Sequence, residues 1–348
     1  MGRRLHVCRP RRTKTPGIHH LLAATLVLAA TPALARDPVF RLPLDCTLGE
    51  DCYINDYVDL DAGPGRRDYT CGGVTRDNHR GTDFAVFTEA DLNRGYDVVA
   101  AAPGTVVGIR DSLPDIPQGR EDSPDVTDRE CGNGVGIRHG SGWFTQYCHL
   151  AQGSIAVSVG DRVAAGTVLG QIGFSGVTSY PHLHFDVRKD GVPVDPFSGA
   201  SPNTDTTCTP PDATEEATLW RDLPAYQDGG LVRIGFAGRE VAYEEVQAGF
   251  ASPATLPVTT PVLIAWLHGY AGQEGDALSL TVTGPDGSDW TTRDVTLGER
   301  GLKFFYRYTG RRLTTDAWDP GLYTLTVRHS RDGALIEEDI ATITLTDR

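Results

Sequence analysis

Short runs of alternating apolar and polar residues, cut by glycine and proline, dominate the chain. Seven of them in the middle of the sequence predict strands: Val98–Ala102, Gly104–Arg110, Gly134–Arg138, Trp143–His149, Asp161–Ala165, Val168–Phe174 and His182–Arg188. Apolar, often β-branched or aromatic residues recurring at every second position suit a pleated, half-buried surface. The turn His139-Gly140-Ser141-Gly142 would join two of these strands as a hairpin. Beyond residue 219 the alternation resumes in Leu278-Leu280-Val282, Phe304-Tyr306-Tyr308 and Ala341-Ile343-Leu345, with Pro285-Asp286-Gly287 and Asp332-Gly333 as turns. Short strands at regular spacing predict a small antiparallel sandwich. Residues 201–218 are polar, carry a Pro-Pro pair and read as a linker. The expected fold is all-β: an irregular lead-in over 36–75, a glycine-rich antiparallel domain over 76–200, and a C-terminal β-sandwich over 219–348. No heptad, repeat or helix with an apolar stripe is apparent.

The first 35 residues follow a different pattern. Arg3, Arg4, Arg9, Arg11, Arg12 and Lys14 precede an apolar stretch, Leu21 to Ala30, and a small-x-small sequence, Ala33-Leu34-Ala35. This is the order of a cleaved secretory signal, and the apolar run is too short to span a bilayer. After cleavage no stretch qualifies as an integral membrane segment. The formal charge of −14 would fall to about −20 with those six cations gone. Only three lysines occur in the whole chain: Lys14, Lys189 and Lys303. So acidic a chain does not suit nucleic-acid binding, which needs basic surface to neutralise phosphates. Six cysteines remain: Cys46, Cys52, Cys71, Cys131, Cys148 and Cys208. An even count in an exported chain predicts three disulfides, and places the protein in the periplasm or the medium. The predicted hairpin would bring Cys131 near Cys148, and Cys46 and Cys52 are spaced to close a short loop. No C-x-x-C occurs, which excludes the commonest cysteine-ligated zinc sites.

Candidate chemistry concentrates in histidines of the middle segment. His79-Arg80-Gly81-Thr82-Asp83, Gln146-Tyr147-Cys148-His149-Leu150 and Pro181-His182-Leu183-His184-Phe185 are three compact settings. Zinc accepts neutral imidazole and carboxylate, and a catalytic site leaves one position to water. Side chains two apart on a strand share a face, so His182 and His184 can reach one pocket. Gly81 and the alternation after it argue that His79 and Asp83 lie on a turn entering a strand. Read alone, each group also fits an ordinary ion pair or packed histidine. Tyr147, Trp143 and Phe185 read as core, Tyr180 as a residue that could edge a groove, and His139, His268 and His329 as having no catalytic role. Zincin, nucleophile-elbow and phosphate-loop motifs are absent.

Taken together, H-x-x-x-D, Y-x-H-L, H-x-H and the run Gly160-Asp161-Arg162-Val163 to Gly170 resemble lysostaphin/LytM-type zinc metallopeptidases, over about residues 76–197. The resemblance implies a glycine-rich β core of the duplicated-hybrid-motif type with an exposed groove. It implies one Zn²⁺ per chain held by His79, Asp83 and His184, with His149 and His182 as an unligated catalytic pair. It further implies a secreted zinc metalloendopeptidase that hydrolyses peptide cross-links of bacterial peptidoglycan with zinc-activated water. Peptidoglycan peptides are then the partner; no protein partner is indicated. Two other readings stand beside it: a non-catalytic wall-binding regulator of another hydrolase, and a peptidase of glycine-rich proteins. This chain departs from the family in an acidic insertion, Asp111 to Glu130, expected beside the groove.

Overall fold

The computed structural model describes residues 1–2, 37–203, 207–210, 218–298 and 301–347. All strands below lie in one compact unit, 36–348. The expected signal, 1–35, lies outside the described residues except for Met1 and Gly2, and so does most of the linker. No helix among the described residues is long and apolar enough to cross a membrane.

Ten strands occupy the first half: β1 (Tyr53–Asp56), β2 (Gly81–Ala85), β3 (Asp97–Val99), β4 (Gly104–Arg110), β5 (Asn133–Gly140), β6 (Trp143–Leu150), β7 (Arg162–Val163), β8 (Val168–Gln171), β9 (His182–Lys189) and β10 (Val192–Pro193). Seven form one path, β1-β2-β9-β6-β5-β4-β7, with β10 beside β9; β3 and β8 pair separately. All these pairings are antiparallel. The expected β5–β6 hairpin is present, and Gly140, Ser141 and Gly142 at its tip all have positive φ, which explains the glycines there. The lead-in is less irregular than expected, because its β1 completes one edge of the sheet.

Period-two alternation separates the two faces of this sheet. Phe84, Tyr147, Leu183 and Phe185 point into a core with no exposure, as does Ile54 of the lead-in. Trp220 and Tyr270, from beyond the linker, belong to the same core cluster. The other face is lined with glycine and polar residues. Cross-strand pairs lie on one face, so registry aligns Asp56 with Asp83, Asp83 with His184, His184 with Cys148, Cys148 with Gly134, and Gly134 with Arg110. That row crosses six strands and carries the chemistry.

The second half holds eight strands: β11 (Gly230–Ala237), β12 (Thr255–Pro257), β13 (Val262–Gly272), β14 (Ala277–Thr283), β15 (Asp289–Thr296), β16 (Leu302–Arg312), β17 (Gly321–Arg331) and β18 (Ala334–Thr346), with a short helix α1 (Tyr243–Gln247). A three-stranded sheet, β11-β13-β16, and a five-stranded sheet, β12-β18-β17-β14-β15, share a core of Phe236, Leu267, Leu280, Phe305, Leu325 and Ile343 among others. This is the expected sandwich, with one exception: β12 runs parallel to β18. Three disulfides, Cys46–Cys52, Cys71–Cys208 and Cys131–Cys148, use all six cysteines that follow residue 35.

Candidate metal centre and its surroundings

Three side chains converge at the middle of the cross-sheet row. His79 Nε2 lies 3.1 Å from Asp83 Oδ1 and 3.1 Å from His184 Nδ1, and His184 Nδ1 lies 2.8 Å from Asp83 Oδ1. Tetrahedral zinc with bonds near 2.0–2.1 Å sets its ligand atoms about 3.3 Å apart. One ion therefore fits between these three atoms. His79 Nδ1 donates to the Tyr57 carbonyl at 2.7 Å, which leaves the Nε2 lone pair facing the other two ligands. Burial lowers the His79 pKa despite the nearby Asp83, so the ring is kept in the neutral form that metals bind. Burial opposes ionisation of Asp83, but the neighbouring His79, His182 and Arg76 outweigh it and hold the carboxyl well below the usual range.

Local sequence explains the placement. His79 sits at the end of the turn that precedes β2, and Asp83 lies on β2 directly opposite His184 of β9. Gly81 gives His184 its space: a Cβ there would stand 2.7 Å from the imidazole Cε1 and 2.7 Å from the Phe185 carbonyl oxygen. Gly81→Ala is therefore expected to displace the His184 ring and to weaken zinc binding by roughly tenfold or more while the fold is retained, a shift comparable to loss of a supporting metal-site contact. Zinc competition titration with far-ultraviolet circular dichroism checks this. Unchanged affinity would refute it.

His149 and His182 stand beside the three. Their ring centroids are 4.6 Å apart, and His149 lies 6.0 Å from His184. His149 Nδ1 donates to the Ser175 carbonyl at 2.8 Å. His182 Nδ1 donates to the Thr178 hydroxyl oxygen at 3.0 Å and the Tyr180 carbonyl at 3.1 Å. Both rings thus keep Nε2 as a free lone pair. His182 Nε2 is buried without a hydrogen-bond partner, 3.6 Å from Asp83 Oδ2. Burial, aided by His184, pushes the His149 pKa down to about 4, and burial lowers that of His182 strongly. His149 occupies its place through a local defect. Its φ is +65°, and the β5–β6 register shifts at this point. A bulge of this kind re-aims a side chain that regular alternation would send into the core.

The other side of Asp83 was not legible from motifs. Its Oδ2 accepts from Arg76 Nη1 at 2.9 Å and from the Tyr180 hydroxyl at 3.2 Å, and Lys303 Nζ of β16 lies 3.9 Å away. Tyr180 also stacks on His182 with centroids 4.3 Å apart. Burial and the charges of Asp83 and Asp56 push its phenol pKa well up, so it remains a donor. Tyr180 is thus inside the centre rather than at a groove edge. Its aromatic pairing with a motif histidine two residues away was the available signal. Lys303 could have been flagged only by the rarity of lysine in the chain. Tyr147, Trp143 and Phe185 are core, as expected. His139 bonds Pro103 and Thr145, and His268 and His329 are buried in the second half.

An open groove of about 320 Å³ flanks the centre over β4, β5 and β6, lined by Gly108, Arg110, Gly134, Gly136, Phe144 and Gln146 among others. The acidic insertion runs between two lining residues of the groove, Arg110 and Cys131, and contributes no lining residue itself. It is anchored by Leu113 to Asn133 and by Gln118 to Thr178.

A β-sheet that gathers two imidazoles and a carboxylate beside two free imidazole bases has the donor set of a zinc-type metal centre. Residues 77–196 match the model of Peptidase family M23, in line with the resemblance to lysostaphin/LytM-type metallopeptidases read from the motifs. The DD-carboxypeptidase/endopeptidase Mpg of Neisseria meningitidis is 42% identical over 76 residues, 22% of this chain and 17% of that protein. The peptidoglycan DD-endopeptidase ShyA of Vibrio cholerae is 31% identical over 124 residues, 36% of this chain and 23% of that protein. The chain therefore spans less than a quarter of either curated relative. The catalytic domain of lysostaphin from Staphylococcus simulans is 26% identical, with a TM-score of 0.25 over 39% of this chain and 77% of that one.

Proposed function

We propose that the protein is an exported zinc metalloendopeptidase that hydrolyses peptide cross-links of bacterial peptidoglycan. The observation that carries this reading is the convergence of all five motif residues on one face of one sheet. His79, Asp83 and His184 would hold Zn²⁺. Zinc, when bound, supplies Lewis acidity that activates water at neutral pH and polarises a carbonyl.

This chain's residues do the rest. The groove over β4–β6 takes an extended peptide, because its glycines leave backbone groups within reach. Of His149 and His182, one takes the proton from the attacking water. That proton, carried on an Nε2 of the pair, is then passed to the leaving amine, and while it is carried the protonated ring can donate toward the developing oxyanion. Carbonyls on both Nδ1 atoms hold the rings in the tautomer this work requires. Three disulfides support export to an oxidising compartment, the periplasm or the medium. A non-catalytic wall-binding role would not need two free bases beside a complete ligand set, so the geometry favours the enzyme.

Purified protein incubated with peptidoglycan sacculi tests the proposal. Mass spectrometry should find cross-linked fragments converted to monomers, about one zinc per chain, and no conversion after chelation until zinc is restored. Zinc-loaded protein that releases no fragment from any wall type would overturn the reading.

A further inference from the structure

The row across the sheet does not end at Asp83. Beyond it lies Asp56, which pairs with both Arg76 and Lys303. Between the lead-in and the C-terminal sheet a cavity of about 60 Å³ opens at this point. Three cations line it, Arg66, Arg76 and Lys303, against Asp56 in the lining and Asp83 behind Arg76 and Lys303. Lys303 Nζ lies 3.0 Å from Asp56 Oδ2 and 4.3 Å over the Tyr180 ring. The Arg76 and Lys303 side chains remain 46% and 33% exposed, so each retains donors toward solvent. Such an excess of positive charge is unusual in a chain of net charge −14.

The two sides of the centre differ in size. The β4–β6 groove has a volume of about 320 Å³, whereas the cavity by Lys303 has about 60 Å³. A peptide laid across the row has room for several residues on one side of the ligands and for about one on the other. Guanidinium and ammonium donors around a small cavity match a carboxylate, which guanidinium binds through paired N–H donors.

We infer that the cavity lined by Arg66, Arg76 and Lys303 binds a substrate carboxylate about one residue beyond the scissile bond, which makes Lys303 of the C-terminal domain a specificity residue of the centre. The inference rests on the peptidase reading and narrows its substrate to carboxylate-bearing peptides. The carboxylate has two sources, a chain terminus or an acidic side chain.

Three peptides of one sequence test it: one with a free terminal carboxylate one residue past the scissile bond, one with a terminal carboxamide, and one with a carboxamide terminus and an acidic side chain at that residue. Affinity is measured by calorimetry on the full chain carrying His149→Ala, and kcat/KM on the zinc-loaded parent. At least one carboxylate peptide should exceed the neutral one by roughly tenfold, as hydrogen bonds to charged groups do, and the better of the two identifies the source. Lys303→Met and, separately, Arg66→Met should bring that ratio close to one, and Lys303→Arg should preserve it. Arg66→Met carries the test if Lys303→Met does not fold. Equal binding of all three peptides, or a ratio that survives both substitutions, overturns the inference. If all three are cut equally, only the carboxylate pocket fails; if none is cut, the peptidase reading fails and the binding ratio still decides the pocket.

Discussion

His149→Ala lowers turnover on wall peptides by roughly 10²–10⁴, the range of a lost general acid or base, while zinc stays bound. The ring is not among the three converging ligand groups, and its Nδ1 is occupied by the Ser175 carbonyl. What disappears is a base that burial keeps unprotonated, 4.6 Å from its partner ring. The positive φ at this position supplies a control. Histidine tolerates the left-handed region better than alanine does, so alanine adds backbone strain. Glycine carries no such strain. His149→Gly should therefore lose as much turnover as His149→Ala while unfolding at a higher temperature. The check is kcat on defined muropeptides together with zinc content by mass spectrometry. Turnover within a few-fold of the parent in a zinc-loaded variant would remove His149 from the mechanism.

Asp83→Asn should cost more than roughly 100-fold in zinc affinity, beyond what loss of an outer-shell partner does. Asp83 has no exposure and uses both oxygens: Oδ1 faces the two imidazoles, and Oδ2 accepts from Arg76 and Tyr180. An amide has one acceptor. Turned toward the imidazoles, it points its NH₂ at the donors of Arg76 and Tyr180. Turned toward those donors, it presents NH₂ where the metal needs a lone pair. Arg76 keeps Asp56 as a partner and is half-exposed, so the fold should survive. A zinc competition titration beside a thermal melt reads both quantities. An asparagine variant that binds zinc as tightly as the parent would show that the carboxylate is not a ligand.

Much of this centre could be read from short-range pattern. Two residues apart on a strand means one face, and that alone paired His182 with His184. The Gly-rich turn predicted the β5–β6 hairpin and with it the proximity of Cys131 to Cys148. Long-range features left weaker traces. Cys71 and Cys208 are 137 residues apart, and nothing local announces their bond. β1 is four residues long and is a strand only because β2 accepts it at the sheet edge. The Tyr57 carbonyl that orients His79 is backbone and has no side-chain signature. Arg76 and Lys303 reach Asp83 from a turn and from another domain, at separations no motif encodes.

The contact between Tyr53 and Tyr270, with ring centroids 4.3 Å apart, bears on how such a chain can be divided. A fragment stopped at the linker would bare Tyr53 and Tyr180 to water and lose Lys303 in the same cut. It would be a stickier molecule with one wall of its pocket missing, and its choice of peptides would not stand for that of the intact chain. Exchanging the tail for a different module would likewise rewrite selectivity without touching a single ligand of the ion.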